Sequence, residues 1–357
     1  MGLLVGRETK DGFEPSWLHR WLRPAVSGNA LNGVGETADR PATALYHRLD
    51  RVGPWLLVNL SFVIRQMWDI GPRGQVWPLL RDFRNKLAEF FRRKDVAASQ
   101  VTESPESWTR QVRAHARASR LCADLGVTRM HAGLYFEGGV PDEGTGPRYA
   151  IVLLQPMAYE PLSATLEAED WTRRPFWRRK WVRSVREVMR TYADVHQGAV
   201  SLAAWIRARG HRAEAVGGAP GSDINILWAA IEAGLGELGK HGSIIHREHG
   251  SAVRFAVVLT DLPLMPDVPA DFGADDFCAS CRICETACPP KAISSTKQLV
   301  RGVEKWYVDF DACVPYFNET NGCGVCITAC PWSRPGIAEN LARKLERRRE
   351  KRGRGVD

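Results

Sequence analysis

Eight of the nine cysteines of this chain lie in one C-terminal stretch. They run Cys278-x2-Cys281-x2-Cys284-x3-Cys288-Pro289, then Cys313, then Cys323-x2-Cys326-x3-Cys330-Pro331. A CxxCxxC loop wraps three thiolates around one face of an iron–sulfur cubane. The next cysteine lies too far round to close the same site and ligates a second cluster instead. The spacing therefore predicts one [4Fe-4S] cluster on Cys278, Cys281, Cys284 and Cys330, and another on Cys288, Cys313, Cys323 and Cys326. In the second motif the first ligand stands ten residues ahead of Cys323. That longer arm carries Pro315, Tyr316 and Phe317, which would shield one cluster from water.

A fold of this kind is ferredoxin-like, and a chain that carries two clusters beside a large second region moves electrons singly. Zinc ribbons also pair CxxC motifs, but seldom as CxxCxxC followed by Cys-Pro. A disulfide framework fits worse, because only Cys122 lies elsewhere and nothing resembles an export signal. Cys122, in Ser-Arg-Leu-Cys-Ala-Asp-Leu, reads as a small buried hydrophobe on a helix.

The chain has 357 residues and a net charge of +8, enough for one large domain and a small one. The charge is concentrated. Residues 343–357 hold eight basic and three acidic side chains, a surplus of five, and read as a solvated basic tail. Arg173-Arg174-Pro175-Phe176-Trp177-Arg178-Arg179-Lys180 reads as an exposed helix start. Nucleic acid is not an expected partner. The longest apolar run, Trp55 to Ile64, is about half of what a bilayer needs, so no transmembrane segment and a cytoplasmic location are expected.

Residues 1–107 form a helical, loop-rich extension. Residues 108–266 make an α/β core, 267–336 the cluster module, and 337–357 the basic tail. Within the core, Tyr149–Leu154 is a continuous apolar run and reads as a buried strand, and Val253–Thr260, apolar but for Arg254 and Thr260, reads as the next strand. Between them, apolar residues from Val185 to Ile206 recur at three- and four-residue steps, which predicts a long helix over about 176–209, stopped by Gly210. A shorter helix follows, with Asp223 as its N-cap and Ala233 near its end.

Gly234-Leu235-Gly236-Glu237-Leu238-Gly239 matches GxGxxG, yet follows a helix, whereas a dinucleotide fingerprint must follow a strand. Asp194-Val195-His196-Gln197-Gly198 is one residue short of a corrinoid DxHxxG motif and lies inside the long helix. His246-Arg247-Glu248-His249 lacks HExxH spacing and reads as surface or substrate-side polarity.

The block Ala233–Lys240, then Val253-Arg254 and Leu259-Thr260-Asp261-Leu262-Pro263-Leu264, then the two Cys-Pro motifs ending in Cys330-Pro331-Trp332, resembles the cobalamin-dependent reductive dehalogenases. It is similar also to the epoxyqueuosine reductases. The resemblance runs from about Tyr149 to Pro335. It implies an α+β fold with a nitroreductase-like, cobalamin-binding core and a C-terminal ferredoxin-like domain holding two [4Fe-4S] clusters. It gives Gly234, Gly236, Gly239, Lys240 and His241 contact with the corrin periphery, and makes Tyr192 the proton donor beside a cationic Arg254. Asp261 is a candidate partner for Arg254. An external low-potential donor such as ferredoxin or flavodoxin would feed the clusters, which would reduce cobalt, and halide would leave a small organohalide. In the epoxyqueuosine reductases an Asp stands thirteen residues before the alanine of this block; here that position is Pro220, with Asp223 offset by three, and their downstream Glu falls on Ile226. The dehalogenase side is favoured. An epoxyqueuosine reductase-like enzyme, or a two-cluster electron carrier without its own catalysis, is the alternative.

Overall fold

A computed structural model describes residues 6–10, 12–45, 47–48, 51–52, 55–70, 72–92, 95–166, 181–217 and 223–353. The basic run at 173–180 and Pro220 lie outside them.

The core is a four-stranded, wholly antiparallel sheet. Its strands are β1 (Asp124–Arg129), β2 (Tyr149–Pro156), β3 (Ala213–Gly217) and β4 (Val253–Thr260), in the spatial order β1-β2-β4-β3. Register sets Val257 opposite Val152 and Arg254 opposite Gln155. Because side chains alternate along a strand, β2 and β4 serve two apolar layers at once. Ile151, Leu153, Ala256 and Val258 enter one cluster of buried residues, and Ala150, Val152, Leu154, Phe255 and Val257 the other. Burial on both faces explains why these strands read as largely apolar runs.

Seven helices matter for the site: α1 (Leu56–Ile70), α2 (Pro72–Arg92), α3 (Pro105–Ala118), α4 (Trp181–Arg207), α5 (Ile226–Glu232), α6 (Phe310–Glu319) and α7 (Ala338–Gly353). Helices α3 and α4 cover one face of the sheet, through Trp108, Val112, Val195, Leu202 and Ile206. The other face is covered by α5, through Ala229 and Ala230. No helix among the described residues is long and apolar enough to cross a membrane.

Several expectations change. The N-cap of α5 is Asn225, whose side chain accepts the amide of Trp228, while Asp223 lies two residues before it. Cys122 is buried but sits in the bend between α3 and β1, not on a helix. The basic tail is helical: Ala338 and Ala342 are buried with Phe272 and Trp332. Arg349 pairs with Asp271 and Asp276, and Arg247 with Glu346. Opposite charges on the 261–276 linker thus recruit the helix that composition alone casts as solvated.

Gly126 marks the closest approach of β1 to α5. A Cβ there would fall on the carbonyl oxygen of Ala233, a backbone atom that cannot step aside. Gly126→Ala is expected to destabilise the protein by about 3 kcal/mol or more, at the upper end of overpacking costs. An unchanged thermal midpoint would show that α5 can slide.

Candidate iron–sulfur and redox site

The cysteines come together in two groups drawn from both motifs. Cys284 feels the charge of Cys330 and Cys281, and Cys330 that of Cys278 and Cys281. Cys326 feels Cys323, Cys313 and Cys288, and more weakly Cys284 across the gap between the groups. Short helices Ala274–Ser280, Ile283–Ala287 and Val325–Ala329 set these positions. Burial pushes the thiols of Cys278 and Cys313 up to about 12 and those of Cys284 and Cys330 to about 11. Thiolates in such surroundings need a cationic partner to form at all. Among the described residues no three His, Cys, Asp or Glu side chains converge as one metal ion requires. The two groups are close enough to each other to interact. The donor set fits multi-iron clusters.

The glycine block lies against the first cysteine group. A Cβ on Gly234 would come within 2.5 Å of the Val268 carbonyl oxygen, and one on Gly236 would meet that of Ile245. A Cβ on Gly239 would sit 2.7 Å from the His241 ring. The protein itself fills these approaches, at left-handed φ values of +74° and +148° for Gly234 and Gly236. Glu237, between Gly236 and Gly239, is buried and accepts the amides of Phe272, Ala274 and Asp275 at 2.8, 3.0 and 3.1 Å. It thereby satisfies the free N–H groups at the start of the helix bearing Cys278. Lys240 is 1% exposed, and its Nζ donates to the Cys281 carbonyl at 2.8 Å, lies 4.9 Å from the Trp306 ring centre and reaches Glu285 at 3.9 Å. His241 is buried beside Ser251. In the structure Gly234, Gly236, Gly239, Lys240 and His241 meet partners within the chain itself, at the joint between core and cluster module.

Tyr192 and Arg254 do meet. Tyr192 projects from α4, and the Arg254 guanidinium on β4 lies 5.0 Å from the centre of its ring. Arg254 Nη1 donates to the carbonyl of Val253 at 3.0 Å, while among the described residues its buried Nε has no partner, nor has Oε1 of Gln155, its register neighbour. Asp261 is not the counter-ion; it binds the backbone amide and Nε of Arg212 at 2.9 and 2.7 Å. His246 is buried rather than superficial, with Nε2 3.2 Å from Asp124 Oδ2. His196 likewise packs inside, with Nδ1 2.7 Å from Asp82 Oδ1.

The N-terminal residues enclose the second cysteine group, a role absent from their sequence pattern. Phe13 packs edge-on against Tyr316 with ring centres 4.9 Å apart, and both share a cluster of packed side chains with Trp181 and Cys323. Glu319 accepts the amides of Gly6 and Ser16, and Asp311 accepts that of Gly28. Tyr316, on the long arm of the second motif, is buried.

The 4Fe-4S dicluster domain family matches residues 277–333. The tetrachloroethene reductive dehalogenase of Sulfurospirillum multivorans is 38% identical over 117 residues, covering 30% of this chain and 23% of that protein. An epoxyqueuosine reductase of Cellulophaga algicola is 34% identical over 128 residues, 31% of this chain and 37% of that protein. A solved reductive dehalogenase, whose structure was read as suggesting a mechanism for B12-dependent dehalogenation, superposes with a TM-score of 0.60 at 26% identity. That superposition covers 72% of this chain and 39% of the other. The chain thus spans well under half the length of these relatives. In sequence and fold the chain is similar to the reductive dehalogenases, and in sequence also to the epoxyqueuosine reductases.

Proposed function

We propose that this chain is an iron–sulfur reductase of the reductive dehalogenase type. One [4Fe-4S] cluster sits on Cys278, Cys281, Cys284 and Cys330, the other on Cys288, Cys313, Cys323 and Cys326. An external low-potential donor such as ferredoxin or flavodoxin supplies electrons, and the substrate is a small organohalide. The overall change takes two electrons and one proton: the carbon–halogen bond breaks, a carbon–hydrogen bond forms and halide departs. Tyr192 is the group placed to give the proton, and Arg254 the one placed to receive the anion. A half-buried guanidinium whose buried Nε lacks a partner among the described residues is suited to an incoming anion.

The observation that carries this reading is the sorting of eight cysteines into two groups, each built from both motifs, directly beneath the core. A corrinoid as electron acceptor comes from the relatives. The chemistry assigned to this chain's residues stops at proton and anion.

Anaerobic reconstitution followed by metal analysis and paramagnetic resonance tests the reading. About eight irons per chain are expected for two cubanes; zinc, or about half that iron, would overturn it. Retention of added cobalamin, seen through its visible bands, separates the reductase from a plain electron carrier. Arg254→Met is expected to lower dehalogenation about a hundredfold while leaving iron content unchanged, as loss of an anion-stabilising group does. Loss of iron instead would make Arg254 structural.

A further inference from the structure

We propose that His241 and Ser251 form a two-step hydrogen-bond device that raises the reduction potential of the first cluster through Cys330. The inference rests on the cluster reading above and goes beyond it by assigning residues that are not ligands.

The tautomer of His241 is set by its neighbours. The backbone amide of Ser243 points at Nδ1 from 3.2 Å, and an amide N–H can only donate. Nδ1 must therefore keep its lone pair, and the single proton of the neutral ring sits on Nε2. Burial holds the ring neutral, lowering its pKa to about 4. Nε2–H then donates to Ser251 Oγ at 2.9 Å. With one lone pair so engaged, the Ser251 hydroxyl turns its own proton to Cys330 Sγ at 3.8 Å, within reach for a sulfur acceptor. Ser251 is completely buried and Cys330 is 5% exposed, so no bulk water competes for either bond.

A donor on a ligating sulfur draws charge from the cluster and favours its reduced, more negative state. Lys240 acts in the same sense, as a buried cation at the Cys281 carbonyl. In the second group the Ala292 amide points at Cys288 Sγ from 3.3 Å. The His241–Ser251 device acts on the cluster next to the core, and it biases electrons towards that end of the relay.

The test is a redox titration of anaerobically reconstituted protein, followed by paramagnetic resonance. Cys281→Ala identifies the first cluster's signal by removing it. Ser251→Ala is expected to disfavour reduction of that cluster about tenfold, a downward shift of about 59 mV for one electron. The second cluster should not move, and Ser251→Thr, which keeps the hydroxyl, should restore the value. His241→Leu, with both Ser251 and Cys330 intact, should shift the same cluster in the same direction by less. It decides the matter if Ser251→Ala holds no iron. Unmoved potentials, or equal shifts of both clusters, overturn the device while leaving the clusters in place. Wild-type protein without two paramagnetic centres overturns the cluster reading and this inference together.

Discussion

Cys281→Ala should remove one cluster, about half the iron of the reconstituted protein, and all reductive turnover. Cys281 is half-buried at the end of the helix Ala274–Ser280, and its carbonyl, not its sulfur, holds Lys240. Alanine keeps that carbonyl and changes no backbone requirement, since the residue is in extended conformation with φ −80° and ψ 133°. The fold around it should persist, as a thermal midpoint close to wild type would show. The remaining cluster should still give its signal, because its four cysteines belong to the other group. Full dehalogenation in a protein that has lost the first cluster would take the relay out of the mechanism. Loss of both clusters would mean that the two groups assemble as one unit.

What the amino-acid order discloses about this protein depends on how local each cause is. The cysteine groups are legible because a thiolate within three residues of another leaves few chemistries open. The strand Val253–Thr260 is legible because burial on both faces makes it apolar but for Arg254 near its start and Thr260 at its end. Its partner β1, Asp-Leu-Gly-Val-Thr-Arg, is not. Gly126 reads as a breaker in a strand, and only the distant Ala233 carbonyl makes a missing side chain necessary. The same holds for the site. Tyr192 and Arg254 could be named from resemblance, and the structure sets them side by side. Glu237 and Ser251 could not, since their partners lie 35 or more and 79 residues away. The glycine block drew attention through close approach of backbone. The approaching group is the chain itself, and the block joins the core to the cluster module.

The largest stability effect is expected at Glu89, which with Arg207 closes the exposed edge of the sheet. Strand β3 is an edge strand, so its outer amides and carbonyls have no strand to pair with. Glu89 Oε1 accepts the Ala215 amide at 2.8 Å, and Arg207 Nη1 donates to the Ala213 carbonyl at 2.8 Å. The two side chains also bind each other, Nη1 to Oε1 at 2.7 Å and Nη2 to Oε2 at 3.2 Å, with 6% and 3% exposure. Glu89→Ala leaves a buried guanidinium uncompensated, a defect that costs about 3–5 kcal/mol. Replacing a buried ion pair by apolar residues is often harmless, but not here. Glu89→Leu with Arg207→Met still strands one amide and one carbonyl of β3, at about 1–3 kcal/mol each. Both variants should therefore melt well below wild type, and hydrogen exchange at the Ala215 amide should accelerate in both. A double variant as stable as wild type, with that amide still protected, would show that the edge is covered by something other than this pair.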